Sequence, residues 1–182
     1  MRIIAGKYRG RKLETPSDMD VRPTTDKMRE RVFSMLQHAR YPALQGANVL
    51  DVFAGTGALG LEALSRGASH ITFVEKSPKS IALLNKNICA MKVAGNVTLI
   101  KSRATSLQAA PAACDIIFMD PPYGHGLLAP SIACLLEGGW LADGGVIVAE
   151  MKSDENFEMP TGLAMIDERK QGIQRVVFLS RG

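Results

Sequence analysis

From residue 47 onward, short apolar runs of strand character alternate with segments of helical period, an order that few architectures accept. Residues 47–53, 70–75, 97–101, 115–119 and 145–150 read as strands. Helices are expected over 57–66, where Gly67 closes the segment, and after Ser77-Pro78, where Ile81, Leu84, Ile88 and Met91 form one stripe. A short helix is expected over 104–109 and another over 127–136. Two final strands, near 163–169 and 174–180, flank a polar Lys170-Gln171-Gly172 turn and read as a closing hairpin. Strands that are nearly continuous in apolar residues belong to a parallel sheet covered on both faces. The expected fold is therefore α/β and Rossmann-like, with a mostly parallel seven-stranded sheet. The closing hairpin should make one edge strand antiparallel. A length of 182 residues with 46% apolar content suits one full core and excludes disorder.

The first strand runs into Asp51-Val52-Phe53-Ala54-Gly55-Thr56-Gly57-Ala58-Leu59-Gly60. Gly55, Gly57 and Gly60 satisfy GxGxxG, a pattern that gains meaning from its place between a strand and a helix. Such a loop serves a dinucleotide pyrophosphate, or it passes under the amino-acid end of S-adenosylmethionine. Asp51 favours the second, because a carboxylate four residues before the first glycine repels a pyrophosphate and suits an ammonium and a sulfonium. Glu75 ends the second strand, where an acid can accept both ribose hydroxyls of either ligand.

The fourth strand ends in Asp120-Pro121-Pro122-Tyr123. This puts an acid, two rigid residues and an aromatic at the carboxyl edge of the sheet, where open α/β sheets bind ligands. The set suits methylation of a base's exocyclic amine, whose lone pair is delocalised into the ring. The Asp120 carboxylate and the Pro121 carbonyl can hold both amine hydrogens and localise that lone pair, leaving orientation as the main catalytic contribution. Tyr123 offers a face for a base swung out of its stack.

Net charge is only +4, yet residues 1–31 carry nine basic side chains against five acidic ones, and the rest of the chain is balanced. The bases are Arg2, Lys7, Arg9, Arg11, Lys12, Arg22, Lys27, Arg29 and Arg31, a distribution that points to a polyanion. Residues 1–15 read as a β-hairpin or two short strands. Thr24 or Thr25 then caps a helix carrying Met28, Val32, Met35, Leu36 and Ala39. Residues 1–45 are expected to form a basic extension that docks a polyanion, nucleic acid or an anionic membrane surface, and residues 46–182 a cofactor-binding catalytic domain.

The glycine loop followed by Asp-Pro-Pro-Tyr resembles the S-adenosylmethionine-dependent amino-methyltransferases. Arg2-Ile3-Ile4-Ala5-Gly6-Lys7-Tyr8-Arg9-Gly10-Arg11-Lys12-Leu13, Arg22-Pro23-Thr24 and Arg29-Glu30-Arg31-Val32-Phe33 narrow the resemblance. They are similar to the bacterial RsmD-like family, which methylates guanine N2 in 16S ribosomal RNA. The resemblance spans essentially the whole chain. It implies that Asp51, Gly55, Thr56 and Gly57 meet the methionine end of the cofactor and Glu75 its ribose, with Phe53, Ala54, Lys76 and Asp120 also among the cofactor-binding residues. Asp120, Pro121, Pro122 and Tyr123 would be catalytic; Arg2, Lys7, Arg9, Arg11, Lys12, Arg22, Thr24, Lys27, Arg29 and Arg31 would grip RNA. Where many methyltransferases place Asp or Asn near the adenine, this chain has Lys101-Ser102-Arg103-Ala104, so adenine contacts fall to Ser102, Arg103 or backbone.

Rival readings have less support. Sequence-specific DNA amino-methyltransferases generally carry a separate recognition region, and about 45 residues precede the first strand here. A nicotinamide-dependent oxidoreductase needs a substrate domain, and a binding protein with an inactive fold has no use for Asp51 and the Asp-Pro-Pro-Tyr segment. Charge returns at Lys7 before any signal-peptide apolar region develops, and no apolar stretch has the ~18–20 residues a bilayer span needs. Cys89, Cys114 and Cys134, with His38, His70 and His125, show no zinc spacing. The expectation is a monomeric, metal-free, cytoplasmic enzyme acting on 16S rRNA within a small-subunit particle.

Overall fold

A computed structural model describes residues 1–16, 26–38 and 40–182. Arg22, Pro23, Thr24, Thr25 and Ala39 lie outside the described residues. The described elements are α1 (Asp26–Met35), β1 (Asn48–Val52), α2 (Ala58–Ser65), β2 (His70–Val74), α3 (Pro78–Met91) and a 3₁₀ turn (Ala94–Asn96). They continue with β3 (Val97–Ile100), β4 (Cys114–Met119), α4 (Leu128–Glu137), β5 (Leu141–Lys152), β6 (Leu163–Gln171) and β7 (Gln174–Arg181).

The seven strands form one sheet in the order β3-β2-β1-β4-β5-β7-β6. Strands β1 to β5 are mutually parallel, and alternate residues on them feed two cores. Val49, Phe73, Ile116, Phe118 and Val148 join the cluster that holds Met28, Phe33, Leu61 and Leu84. Leu50, Val52, Ile117, Met119 and Ile147 join the opposite cluster, with Leu128, Ile132, Leu135 and Trp140. Burial on both faces explains why these strands are apolar throughout. Ser77 caps α3, its hydroxyl accepting from the Ser80 N–H with Pro78 at the first helical position, as the Ser-Pro pair predicts.

The closing hairpin is the antiparallel edge pair expected: β7 lies between β5 and β6, antiparallel to both, and β6 is the outermost strand. One expectation needs correction. Residues 104–109 form no helix, because their polar groups are claimed from elsewhere. The Trp140 indole donates to the Gln108 carbonyl, the Cys134 thiol to that of Leu107, and the nearby Ala110 N–H to Gly138.

Residues 1–13 fold back on themselves. An antiparallel bridge pairs Arg2 with Lys12, and the Ile3 N–H donates to the Arg11 carbonyl at 2.9 Å. Ile3 and Leu13 are buried in the same cluster as Phe33 and Leu61, so the arm is sealed onto the sheet's helical layer. Gly6 sits at φ +81°, where a Cβ would overlap the Ser65 carbonyl, so only glycine lets the arm lie this close to α2. Among the described residues no helix is long and apolar enough to cross a membrane.

Candidate active site

In the sheet order, β2 flanks β1 on one side and β4 on the other, so the loops after β1 and β4 diverge at their carboxyl ends. This is the switch point at which open α/β sheets bind ligands. The glycine loop leaves β1 here, and Asp120-Pro121-Pro122-Tyr123 leaves β4, with Val52 and Met119 in register.

Phe53 turns the chain out of β1 at φ +63°, a conformation that costs a non-glycine residue about 1–3 kcal/mol. Its Ala54 neighbour is tied back to the sheet by an N–H bond to the Val74 carbonyl at 3.1 Å. Nothing in the glycine spacing announced this strained residue. Gly57 is also left-handed and lies against Leu84 and Phe73, which leave no room for a side chain. At Gly55 a Cβ would meet just the Phe53 carbonyl, at an ordinary contact distance of 3.9 Å, so this side of the loop is uncrowded.

Asp51 is 2% exposed, and its Oδ2 accepts from the Gly60 N–H at 2.8 Å. Burial pushes its carboxyl well above the usual range; the Gly60 bond pulls the other way, and the charges of Asp120 and Glu75 add to the rise. Glu75, half-buried, accepts from the N–H groups of Gly55, Lys76 and Ser77 at 2.9, 2.8 and 2.7 Å. Among the described residues no salt bridge reaches Asp51 or Glu75. Three carboxylates thus gather about one loop, a donor set that fits a cationic ligand bearing an ammonium and a sulfonium.

The Thr56 carbonyl accepts from Asn87 Nδ2 at 2.9 Å. Asn87 also brackets Glu14, donating to its carbonyl at 3.1 Å and accepting from its N–H at 2.7 Å, so one buried amide joins the glycine loop to the N-terminal arm. Sequence reasoning passed over Asn87, although a polar residue beside Leu84 and Ile88 on a buried stripe is the available signal. Lys76 and Arg103 are exposed, and the Ser102 hydroxyl turns into its own bend toward the Arg103 and Ser106 carbonyls.

At the other loop Asp120 and Tyr123 are half-buried, Pro121 is buried and Pro122 is exposed. The Tyr123 hydroxyl donates to Glu150 Oε1 at 2.7 Å. Gln174 Nε2 donates to the same oxygen, also at 2.7 Å. Neither Glu150 nor Gln174 was singled out from the sequence, because the partners lie on β5 and β7.

Of the basic residues, Arg2, Lys7, Arg9, Arg11, Lys12, Lys27 and Arg31 are exposed. Lys7 Nζ and Arg11 Cζ lie 5.3 and 5.8 Å from the Tyr8 ring centre, and Arg11 also donates to the Ala90 carbonyl. Arg29 is a correction: it is fully buried, one turn before Phe33, and cannot reach a phosphate. Its Nη2 donates to the Arg2 carbonyl and pairs with Asp26. Arg22 and Thr24 lie outside the described residues. Glu62, another residue missed from sequence, anchors the arm by accepting from the Ile4 and Ala5 N–H groups and pairing with Arg66. Among the described residues no group of three or more His, Cys, Asp or Glu could hold a metal ion.

Residues 1–180 match the family model described as Conserved hypothetical protein 95. The chain is 43% identical over 174 residues to Ribosomal RNA small subunit methyltransferase D of Escherichia coli, covering 94% of this chain and 85% of that protein. The Haemophilus influenzae protein of the same name is 33% identical over 177 residues, covering 95% and 90%. The chain belongs to this methyltransferase family. A solved Escherichia coli protein described as a methyltransferase, yhhF, superposes with a TM-score of 0.87 at 38% identity, covering 100% of this chain and 97% of that one. The family likeness extends through the N-terminal arm as well as the sheet, since the match begins at residue 1.

Proposed function

We propose that the protein transfers a methyl group from S-adenosylmethionine to the exocyclic N2 amine of a guanine in 16S rRNA. The carrying observation is the cluster of Asp51, Glu75 and Asp120 around a glycine loop, beside an Asp-Pro-Pro-Tyr turn. The names of the relatives, small-subunit rRNA methyltransferases, support the substrate class.

S-adenosylmethionine supplies, when bound, an electrophilic methyl on a sulfonium. Asp51 meets the cofactor's ammonium end across the glycine loop of 53–57, and Glu75 accepts its ribose hydroxyls, with Lys76, Ser102 and Arg103 along the remaining rim. Asp120 and the Pro121 carbonyl accept the two hydrogens of the guanine amine, which localises the nitrogen lone pair and aims it. Pro122 stiffens the turn, and Tyr123 gives the base a face to rest on. The proton released on methylation leaves through Asp120.

Residues 1–45 form the RNA-docking extension, with Arg2, Lys7, Arg9, Arg11, Lys12, Lys27 and Arg31 on phosphates and Arg22 and Thr24 beside the target base. The substrate is rRNA within a small-subunit particle, met in the cytoplasm by a monomer that needs no metal. Tritiated methyl transfer to 16S rRNA from cells lacking this protein, with the modified nucleoside mapped, tests the reading. Label in N2-methylguanosine is expected; label in another nucleoside, or on DNA alone, overturns it.

A further inference from the structure

A buried carboxylate on β5, that of Glu150, holds the Tyr123 hydroxyl. Glu150 lies near the end of β5, next to Ala149, whose register partner on β4 is Met119, so it stands level with Asp120. It is 7% exposed, and Gln174, which opens β7, is 5% exposed. Both the Tyr123 hydroxyl and the Gln174 amide donate to Glu150 Oε1. Gln174 thereby fixes the acceptor, and the acceptor fixes the phenol.

Tyr123 is rooted in a loop that continues through Gly124 and Gly126, both at positive φ. A bond from the hydroxyl to a buried strand residue fixes the far end of the ring's long axis. A phenolic O–H prefers to lie in the ring plane, so the same bond restrains rotation about that axis before any base arrives. A buried carboxylate is costly unless its partners are well placed, and a Tyr-Phe exchange would suffice for packing alone. The arrangement is what a preorganised stacking platform requires.

We propose that Glu150 is a positioning residue for methyl transfer: through its bond to the Tyr123 hydroxyl, and braced by Gln174, it holds the tyrosine ring in the plane on which the substrate base stacks. The inference rests on the base-methylating reading of the site. It predicts that loss of the hydroxyl and loss of the carboxylate act as one lesion.

The test compares Tyr123→Phe, Glu150→Ala, their double variant and Glu150→Gln in single-turnover transfer to small-subunit rRNA. Tyr123→Phe and Glu150→Ala should each slow transfer by about ten- to a hundredfold, as for a misoriented reactant. The double variant should be no slower than either. Glu150→Gln, which keeps an acceptor oxygen, should stay within about threefold of wild type. Cofactor affinity should be unchanged in all four. A second readout does not need activity: with tyrosine ring ¹³C labels, Glu150→Ala should shift and broaden the Tyr123 resonance and leave those of Tyr8 and Tyr41. Wild-type rates in Tyr123→Phe, or losses that multiply in the double variant, overturn the proposal. If wild type transfers no methyl group to guanine while Glu150→Ala still frees the Tyr123 ring, the function reading fails and the tether stands.

Discussion

Asp51, which accepts an N–H from α2, and Glu62, which belongs to α2, are both buried carboxylates, and they are treated in opposite ways. Glu62 accepts two backbone N–H bonds from the arm, at 2.7 and 3.0 Å, and pairs with Arg66 Nε at 2.7 Å. Asp51 accepts one N–H bond, from Gly60, and its charged neighbours are the acids Asp120 and Glu75. Burial therefore does not distinguish a functional acid from a structural one here, since both are almost completely covered. Partnership does. A buried charge with a full set of donors and a cation is cement between two elements, whereas one facing other acids is completed by a cationic ligand.

The sharpest way to break this comparison is Glu62→Ala. It leaves Arg66 and two arm N–H groups without their acceptor, and removal of one partner of a buried pair costs about 3–5 kcal/mol. Thermal unfolding should fall by roughly 2–4 °C for each kcal/mol in a chain of this size. Cofactor affinity, measured by calorimetry below that transition, should stay within about threefold. A variant as stable as wild type would mean that Glu62 is no anchor.

Asp120→Ala probes the opposite pole. Removing one of the two acceptors that orient the amine should reduce methyl transfer by about 10²–10³-fold, the scale seen when a preorganised polar group is deleted. Binding of S-adenosylmethionine should weaken far less than transfer does, and the melting temperature should move little. Retained transfer would remove the acid from the chemistry.

Asp51→Asn should do what neither of those does, weakening the cofactor by about ten- to a hundredfold, the worth of a charge-assisted hydrogen bond of about 1.5–3 kcal/mol. Stability should be unchanged or slightly higher, because a buried charge has gone. The pH dependence follows from the raised Asp51 carboxyl. A group whose folded pKa lies above its unfolded value holds its proton more tightly in the folded protein. Its stabilising contribution is complete below the ordinary carboxylate range and is lost as pH rises through the raised value. The cationic ligand needs the ionised form, so cofactor affinity should climb with pH across the same interval while unliganded stability declines. Asp51→Asn should flatten both trends, and a pH-independent wild-type affinity would sink the assignment.

The parts of this molecule legible in sequence are those governed by local or periodic rules. Parallel strands buried on both faces announce themselves as apolar runs, and Ser77-Pro78 announces α3. The missed parts depend on partners far away in the chain. Residues 104–110 have ordinary helical composition near their start, yet Trp140, Cys134 and Gly138 take their backbone groups. Arg29 resembled its basic neighbours, but helical phase puts it one turn before Phe33, and burial holds its pKa below the usual arginine value despite the charges of Glu62 and Asp26. Glu150 meets Tyr123 because β5 pairs with β4, and Gln174 meets Glu150 because β7 pairs with β5. The Asp51, Glu75 and Asp120 grouping was readable because each stands at a strand end, and strand ends converge in a parallel sheet.

The smallest effect concerns the arm, where charges held inside the fold and charges facing outward are again set against each other, now with the opposite sign. Lys7, Arg9 and Lys12 are exposed, whereas Arg29 is buried on Arg2 and Asp26. Exposed cations that meet phosphates release counterions, so the log of RNA affinity should fall with log salt by roughly 0.7–0.9 per contact. Neutralising Lys7, Arg9 and Lys12 together should make that slope shallower by about two units or more, with methyl transfer at saturating RNA nearly preserved. Arg29→Gln should leave the slope unaltered and instead lower the melting temperature, because it loosens α1 from the arm. If Arg29→Gln flattens the salt dependence and the triple variant does not, the buried cation is the one that RNA sees, and the arm must open to bind.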